Sequence, residues 1–119
     1  MKVIFVAGPF RGDGSREARE GNLEKARQYI RRFVEKEIPY YSPHMNTSTT
    51  TIDFEGRDPF ATALNHQFLD YCDALAVLPG WKDSSGTQEE ITRAEEQGKR
   101  IFYLEEADAF EAMKKYLKD

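Results

Sequence analysis

Short apolar runs alternate with amphipathic stretches along the chain. Val3-Ile4-Phe5-Val6-Ala7 is an unbroken apolar run stopped by Gly8-Pro9, the pattern of a strand buried on both faces. Leu23, Ala26, Ile30, Phe33 and Val34 recur at helical spacing and predict an amphipathic helix from about Arg16 to Glu37. Ile38 to Ser42, punctuated by Pro39 and Pro43, predicts a second short strand. From Pro43 to Arg57 Thr and Ser are frequent and no period is clear, which predicts a long loop. Asp58-Pro59 then predicts a helix start, with Phe60, Leu64 and Phe68 as its buried stripe.

Ala74 to Leu78 is the third apolar run, broken by Pro79-Gly80. A helix from about Gly86 to Gln97 turns Ile91 and Ala94 inward and stops at Gly98. Ile101 to Leu104 reads as the fourth strand, and Phe110, Met113 and Leu117 mark a closing helix. Strands separated by helices imply a parallel sheet with right-handed crossovers and helices on both faces. The expected strand order is 2-1-3-4. It places a switch point between the first and third strands, and ligands of such sheets bind at the carboxyl ends of the strands flanking that point.

Composition narrows the partners. The 119 residues fit one domain, with no linker or repeat to divide them, and 39% apolar with 32% charged residues describe a polar globular protein. A net charge of −4 argues against long nucleic acid as partner, whereas a small anionic ligand needs only a few N–H groups and one Arg. Cys72 is the single cysteine, so no internal disulfide forms; it reads as a small buried hydrophobe rather than a nucleophile. No apolar run approaches the roughly 18 residues of a membrane span and no secretory leader is evident, so a cytoplasmic protein without a membrane partner is expected.

Two loops meet at the expected switch point. In Gly8-Pro9-Phe10-Arg11-Gly12-Asp13-Gly14-Ser15 the glycines permit tight turns near a ligand, and Arg11 offers a fork for phosphate or carboxylate. The loop fits neither the Walker A pattern nor the dinucleotide fingerprint, and a flexible turn with a solvated Arg11 is an equal reading. The second loop runs from Pro79 through Trp81, Ser84, Ser85, Gly86 and Thr87 into Gln88-Glu89-Glu90-Ile91. Its helix start exposes unpaired N–H groups suited to an anion or a sugar. Ser84 or Ser85 is equally a plain N-cap, with Glu89 or Glu90 closing a capping box. Glu90 precedes the inward-facing Ile91 and is expected on the first helical turn beside the crevice, held ionised by the helix N-terminus, while Glu89 faces water. An ionised carboxylate there suits attack on a sugar carbon.

The strand-loop Phe5-Val6-Ala7-Gly8-Pro9-Phe10-Arg11-Gly12 and the loop-helix Ser84-Ser85-Gly86-Thr87-Gln88-Glu89-Glu90-Ile91-Thr92-Arg93-Ala94 together resemble the nucleoside 2-deoxyribosyltransferase superfamily, which includes deoxynucleoside monophosphate N-glycosidases. The stretch from Asp73 to Trp81 looks most like that group's small uncharacterised relatives. The resemblance implies a flavodoxin-like or Rossmann-like three-layer α/β domain over residues 1–119, with a parallel sheet of four to five strands. It implies a retaining double displacement in which Glu90 attacks the anomeric carbon and expels the base, without a cofactor. Gly8, Arg11 and Gly12 match the loop that holds the 5′-phosphate in the monophosphate hydrolases, and Ser84 matches a phosphate-contacting serine, favouring a nucleotide over a free nucleoside. A homodimer or higher homo-oligomer is expected.

Two positions depart from that pattern. Phe5 stands where the characterised enzymes carry a Tyr, and Asn65 where they carry an Asp that handles the base. An amide hydrogen-bonds a base but delivers no proton. His66 and His44 are candidate substitutes, each with a surface or loop-anchoring role as the competing reading. Trp81 and Phe10 are candidates to cover the base or sugar, or simply lids on the core. Asn22 either caps its helix or reaches the ligand. His44 and Asp53 make no convincing metal set. The leading expectation is thus an N-glycosidase or N-deoxyribosyltransferase acting on a (deoxy)nucleoside 5′-monophosphate. Pro9, Phe10, His44, Trp81, Ser85 and Gly86 join the phosphate-loop residues as binding candidates. The alternative is a nucleotide-binding or sensing domain without chemistry. A phosphoacceptor receiver of the same topology needs an acidic cluster after the first strand, where Gly8-Pro9 stands instead.

Overall fold

The strands are β1 (Ile4–Ala7), β2 (Tyr40–Tyr41), β3 (Ala74–Val77) and β4 (Arg100–Tyr103), all parallel and paired in the order β2-β1-β3-β4. Between and after them run α1 (Arg16–Glu35), α2 (Pro43–Thr47), α3 (Asp58–Tyr71), α4 (Ser85–Glu96) and α5 (Ala109–Lys118). This computed structural model describes residues 1–10, 12, 14–47 and 58–119, apart from the side chains of residues 46, 47, 58 and 59. Among the described residues no helix is long and apolar enough to cross a membrane.

The alternation of side chains along the strands divides the core in two. Ile4, Val6, Ala74, Ala76, Leu78, Phe102 and Leu104 face α1 and α5, where Ala26, Ile30, Phe33, Phe110 and Met113 cover them. Phe5, Ala7, Leu75 and Val77 face the opposite side, covered by Leu69 and Cys72 near the end of α3 and by Ile91 and Ala94 of α4. Cys72 is buried there, and burial pushes its thiol pKa up to about 11, so the thiol stays protonated and unreactive.

The expected α/β architecture and strand order are observed, with local differences. α1 stops two residues early: Lys36 ends it, and Glu37 takes a left-handed conformation (φ 55°) while the Ile38 N–H bonds the Phe33 carbonyl at 2.9 Å. Glycine usually marks such a turn, and none is present to signal it. The expected loop from Pro43 begins instead with α2. The Ser42 hydroxyl accepts the Met45 N–H at 3.3 Å, so Ser42-Pro43 is a cap followed by a first-turn proline. The remainder of that expected loop, residues 48–57, lies outside the described residues, and Asp53 with it.

The stripe expected on α3 is also corrected. Phe60 is 72% exposed, Leu64 39% and Phe68 37%, so none is in the core. Ala61, Asn65, Leu69 and Cys72 are the inward positions, one residue later around the helix. Leu69 and Cys72 seat the helix on Phe5 and Leu75, and the Asp70 carboxylate fixes its rotation through Arg93 on α4, at 2.8 Å from both Nε and Nη2.

Candidate functional site

The carboxyl ends of β1 and β3 are pressed together. The Leu78 N–H bonds the Ala7 carbonyl at 2.8 Å, and a Cβ at Gly8 would fall 2.5 Å from Leu78 Cδ1 and 2.6 Å from its Cβ. Only glycine lets the two loops leave the sheet in contact. Above Gly8 the first loop is pinned from two sides: Asn22 Nδ2 of α1 donates to the Phe10 carbonyl at 3.1 Å, and His44 Nε2 of α2 lies 2.7 Å from the Pro9 carbonyl. A carbonyl only accepts, so His44 carries its hydrogen on Nε2. Burial pushes the His44 imidazole pKa below its usual value, against the opposing pull of the Pro9 carbonyl. His44 is therefore neutral near pH 7 and holds the loop, with the Phe10 ring edge-on at 5.6 Å. Asn22 likewise shapes the loop; the cap of α1 is Ser15, whose hydroxyl accepts the Ala18 N–H at 3.1 Å. Gly12 is exposed at φ 58°, and Arg11 lies outside the described residues.

The second loop carries a short 3-10 turn at Trp81–Asp83 after Gly80, which adopts φ 90°. Trp81 turns away from β1. Its ring packs 5.3 Å from Tyr103 of β4, and its Nε1 donates to Glu105 at 3.2 Å. Ser84 caps α4: its hydroxyl accepts the Thr87 N–H at 3.3 Å and pairs with the Thr87 hydroxyl at 2.8 Å. The buried Thr87 thus closes the cap, a place the sequence reading gave to Glu89 or Glu90. Ser85 and Gly86 are exposed on the first turn, and a Cβ added at Gly86 would point into open space. Their N–H groups are among the donors that a helix start leaves without helical partners.

Glu90 stands in the second turn of α4, roughly 7.5 Å below the start at Ser85 by helical rise. It shares a helix side with Arg93 and Gln97, both bonded to Asp70, and so faces α3. A part of Glu90 reaches the surface, but protein packs densely around its carboxyl. Burial, with a smaller contribution from the neighbouring Glu89 charge, pushes its pKa up to about 8. This corrects the expectation of a carboxylate held ionised. The helix N-terminal field fades within the first turn, and at the second turn desolvation prevails. Asn65 and His66 of α3 are half-buried, Asn65 on the inner stripe one turn before Leu69.

The sequence reading gave no role to Tyr41, the last residue of β2, paired in register with Phe5. Its ring stacks on Phe68 of α3 at 4.5 Å and lies 5.8 Å from the Phe5 ring. Its hydroxyl is buried and meets no hydrogen-bond partner among the described residues. Burial raises the phenol pKa further above 10, so the proton stays on the oxygen. The sequence-level signal was its place beside Phe5 once the sheet order is known.

The topology thus brings Gly8, Pro9 and Phe10, with His44 bonded to Pro9, to the carboxyl end of β1, next to the β3 end from which Ser84, Ser85 and Gly86 lead into α4 and on to Glu90. Asn65 and His66 stand on α3, the helix that Glu90 faces, and Trp81 is directed elsewhere. Two shallow grooves lie apart from this crevice, one of about 450 Å³ between Arg100 and Lys115, the other of about 320 Å³ by Gln67, Asp70 and Arg93. Among the described residues no three His, Cys, Asp or Glu side chains cluster as a metal site would need. No curated protein matches the chain. A family model described as Domain of unknown function (DUF7768) matches residues 2–104, and the chain belongs to that family.

Proposed function

We propose that the protein is an N-glycosidase or N-deoxyribosyltransferase of (deoxy)nucleoside 5′-monophosphates, with Glu90 as nucleophile. The observation that carries this reading is a desolvated glutamate, set on the helix that leaves the switch point and facing α3. In the proposed reaction an ionised Glu90 oxygen bonds the anomeric carbon as the carbon–nitrogen bond breaks and its electron pair leaves with the base. Water, or a second base, then attacks the same carbon and frees Glu90, retaining configuration. The N–H groups of Ser85 and Gly86 suit the phosphate, and Arg11 belongs to the same subsite in this reading. Asn65 would hydrogen-bond the base and His66 would supply its proton. A pKa of about 8 leaves only about a tenth of Glu90 ionised at pH 7, so turnover should rise towards pH 8 and then level off.

The test is incubation with a panel of nucleoside and deoxynucleoside monophosphates, with free base resolved by chromatography. Wild type should release base and Glu90→Ala should lose at least about a thousandfold in rate, the scale expected when a group acting in the transition state is removed. Equal release by the two proteins would remove Glu90 from the mechanism. The same reading includes a second copy of the chain over the exposed Phe60 and Leu64 face of α3, forming a homodimer in the cytoplasm.

The protonated state of Glu90 and the amide at Asn65 also favour a second reading, a nucleotide-binding domain without chemistry. That reading requires binding without base release, and binding that survives Glu90→Gln.

A further inference from the structure

We propose that the Tyr41 hydroxyl is a ligand-binding group of the crevice, donating a hydrogen bond to the sugar or base of a bound nucleoside monophosphate. The inference rests on the proposed function and assigns it a contact from β2, the strand beside β1.

A buried hydroxyl without a partner is costly, and the described residues give no structural reason for it. Phenylalanine would serve the packing equally well: the ring needs only its stack on Phe68 and its contact with Phe5, and both are apolar. The oxygen is thus what the fold leaves unexplained. Its backbone is held on both sides. Tyr41 pairs with Phe5 in the sheet, and the following residues are fixed by the Ser42 cap and by the His44 bond to the Pro9 carbonyl. A fixed donor loses little on meeting a ligand. Tyr41 lies at the carboxyl end of its strand, on the sheet face shared with α3 and α4. It stacks on Phe68, one turn after Asn65, so the phenol and the Asn65 amide flank the same stretch of α3. The phenol remains protonated across the physiological range and therefore acts as a donor, not as a base.

The experiment compares wild type with Tyr41→Phe in the intact chain, measuring binding of adenosine, guanosine, cytidine, thymidine and uridine 5′-monophosphates by calorimetry and thermal unfolding without ligand. The variant keeps both ring contacts and should fold. The expected result is affinity for the bound nucleotide reduced about tenfold, with unfolding temperature unchanged or raised. Affinity unchanged in Tyr41→Phe, with wild type binding normally, overturns the role of Tyr41 and leaves the proposed function standing. A lowered unfolding temperature with unaltered affinity also overturns it, since the hydroxyl would then be structural. Binding of none of these nucleotides by wild type overturns the proposed function and this inference together.

Discussion

The two faces of the sheet are built from the same strands and differ in what they leave unfinished. The face under α1 and α5 is closed: Phe33 lies edge-on to Phe110 at 5.1 Å and to Tyr40 at 5.8 Å, within one continuous cluster of buried apolar side chains. The face under α3 and α4 has a smaller buried core, a carboxyl pushed out of its normal titration range, an unpaired phenol and an aromatic stripe open to solvent. The first face holds the larger apolar core, and the proposed function places its chemistry on the second. Buried polar groups without partners cost free energy, and a fold keeps them where function needs them.

The largest effect should follow from breaking the closed face. Phe33 is fully buried between the sheet and α5. Phe33→Ala is expected to cost about 3–5 kcal/mol, read as a lowered urea midpoint, a large fraction of the stability of so small a domain. A loss below about 1 kcal/mol would show that the closed face is not the main source of stability.

The second prediction sharpens the other side of the contrast. Folding raises the Glu90 pKa from the usual 4.5 to about 8, so the folded state favours the neutral acid. Below pH 4.5 the group is protonated in both states and contributes nothing. As pH rises towards 8 the unfolded chain gains by ionising while the folded one does not, and stability falls; above 8 the loss is constant. Glu90→Gln removes this dependence. It should match wild type at pH 4 and exceed it at pH 8.5 by on the order of 2 kcal/mol, less than the full shift implies at about 1.4 kcal/mol per pH unit because part of the side chain meets solvent. Parallel curves for the two proteins in denaturant unfolding across pH would contradict the desolvated carboxyl.

The contrast also explains what could be read from the sequence. The closed face was legible because its strands are continuous apolar runs and its helices follow the helical period, as with Ala26, Ile30 and Phe33. Such patterns report burial directly. The strand order and the meeting of the Gly8 and Ser84 loops followed from topology. On the face under α3 and α4 the signals conflict. Phe60, Leu64 and Phe68 imitate a buried stripe, whereas the inner stripe of α3 contains Asn65 and small side chains that hydrophobic periodicity passes over. The Glu90 position was legible but its charge state was not, because desolvation depends on how closely α3 and α4 approach. Tyr41 was invisible for a similar reason: an unpaired hydroxyl is a property of its surroundings and not of the residue.

The smallest expected effect tests the outer surface of α3. Phe60 is 72% exposed, so Phe60→Ser removes almost no packing within the chain and should change monomer stability by no more than about 0.5 kcal/mol. If a second copy covers Phe60 and Leu64, the same change replaces an apolar anchor with a hydroxyl at the interface, and the dimer should weaken clearly in sedimentation velocity while each subunit stays folded. If the stripe faces water, sedimentation will not change at any concentration. The two outcomes separate a face left open for a partner from one merely left open, and the near-constant stability ensures that any shift in mass reports association alone.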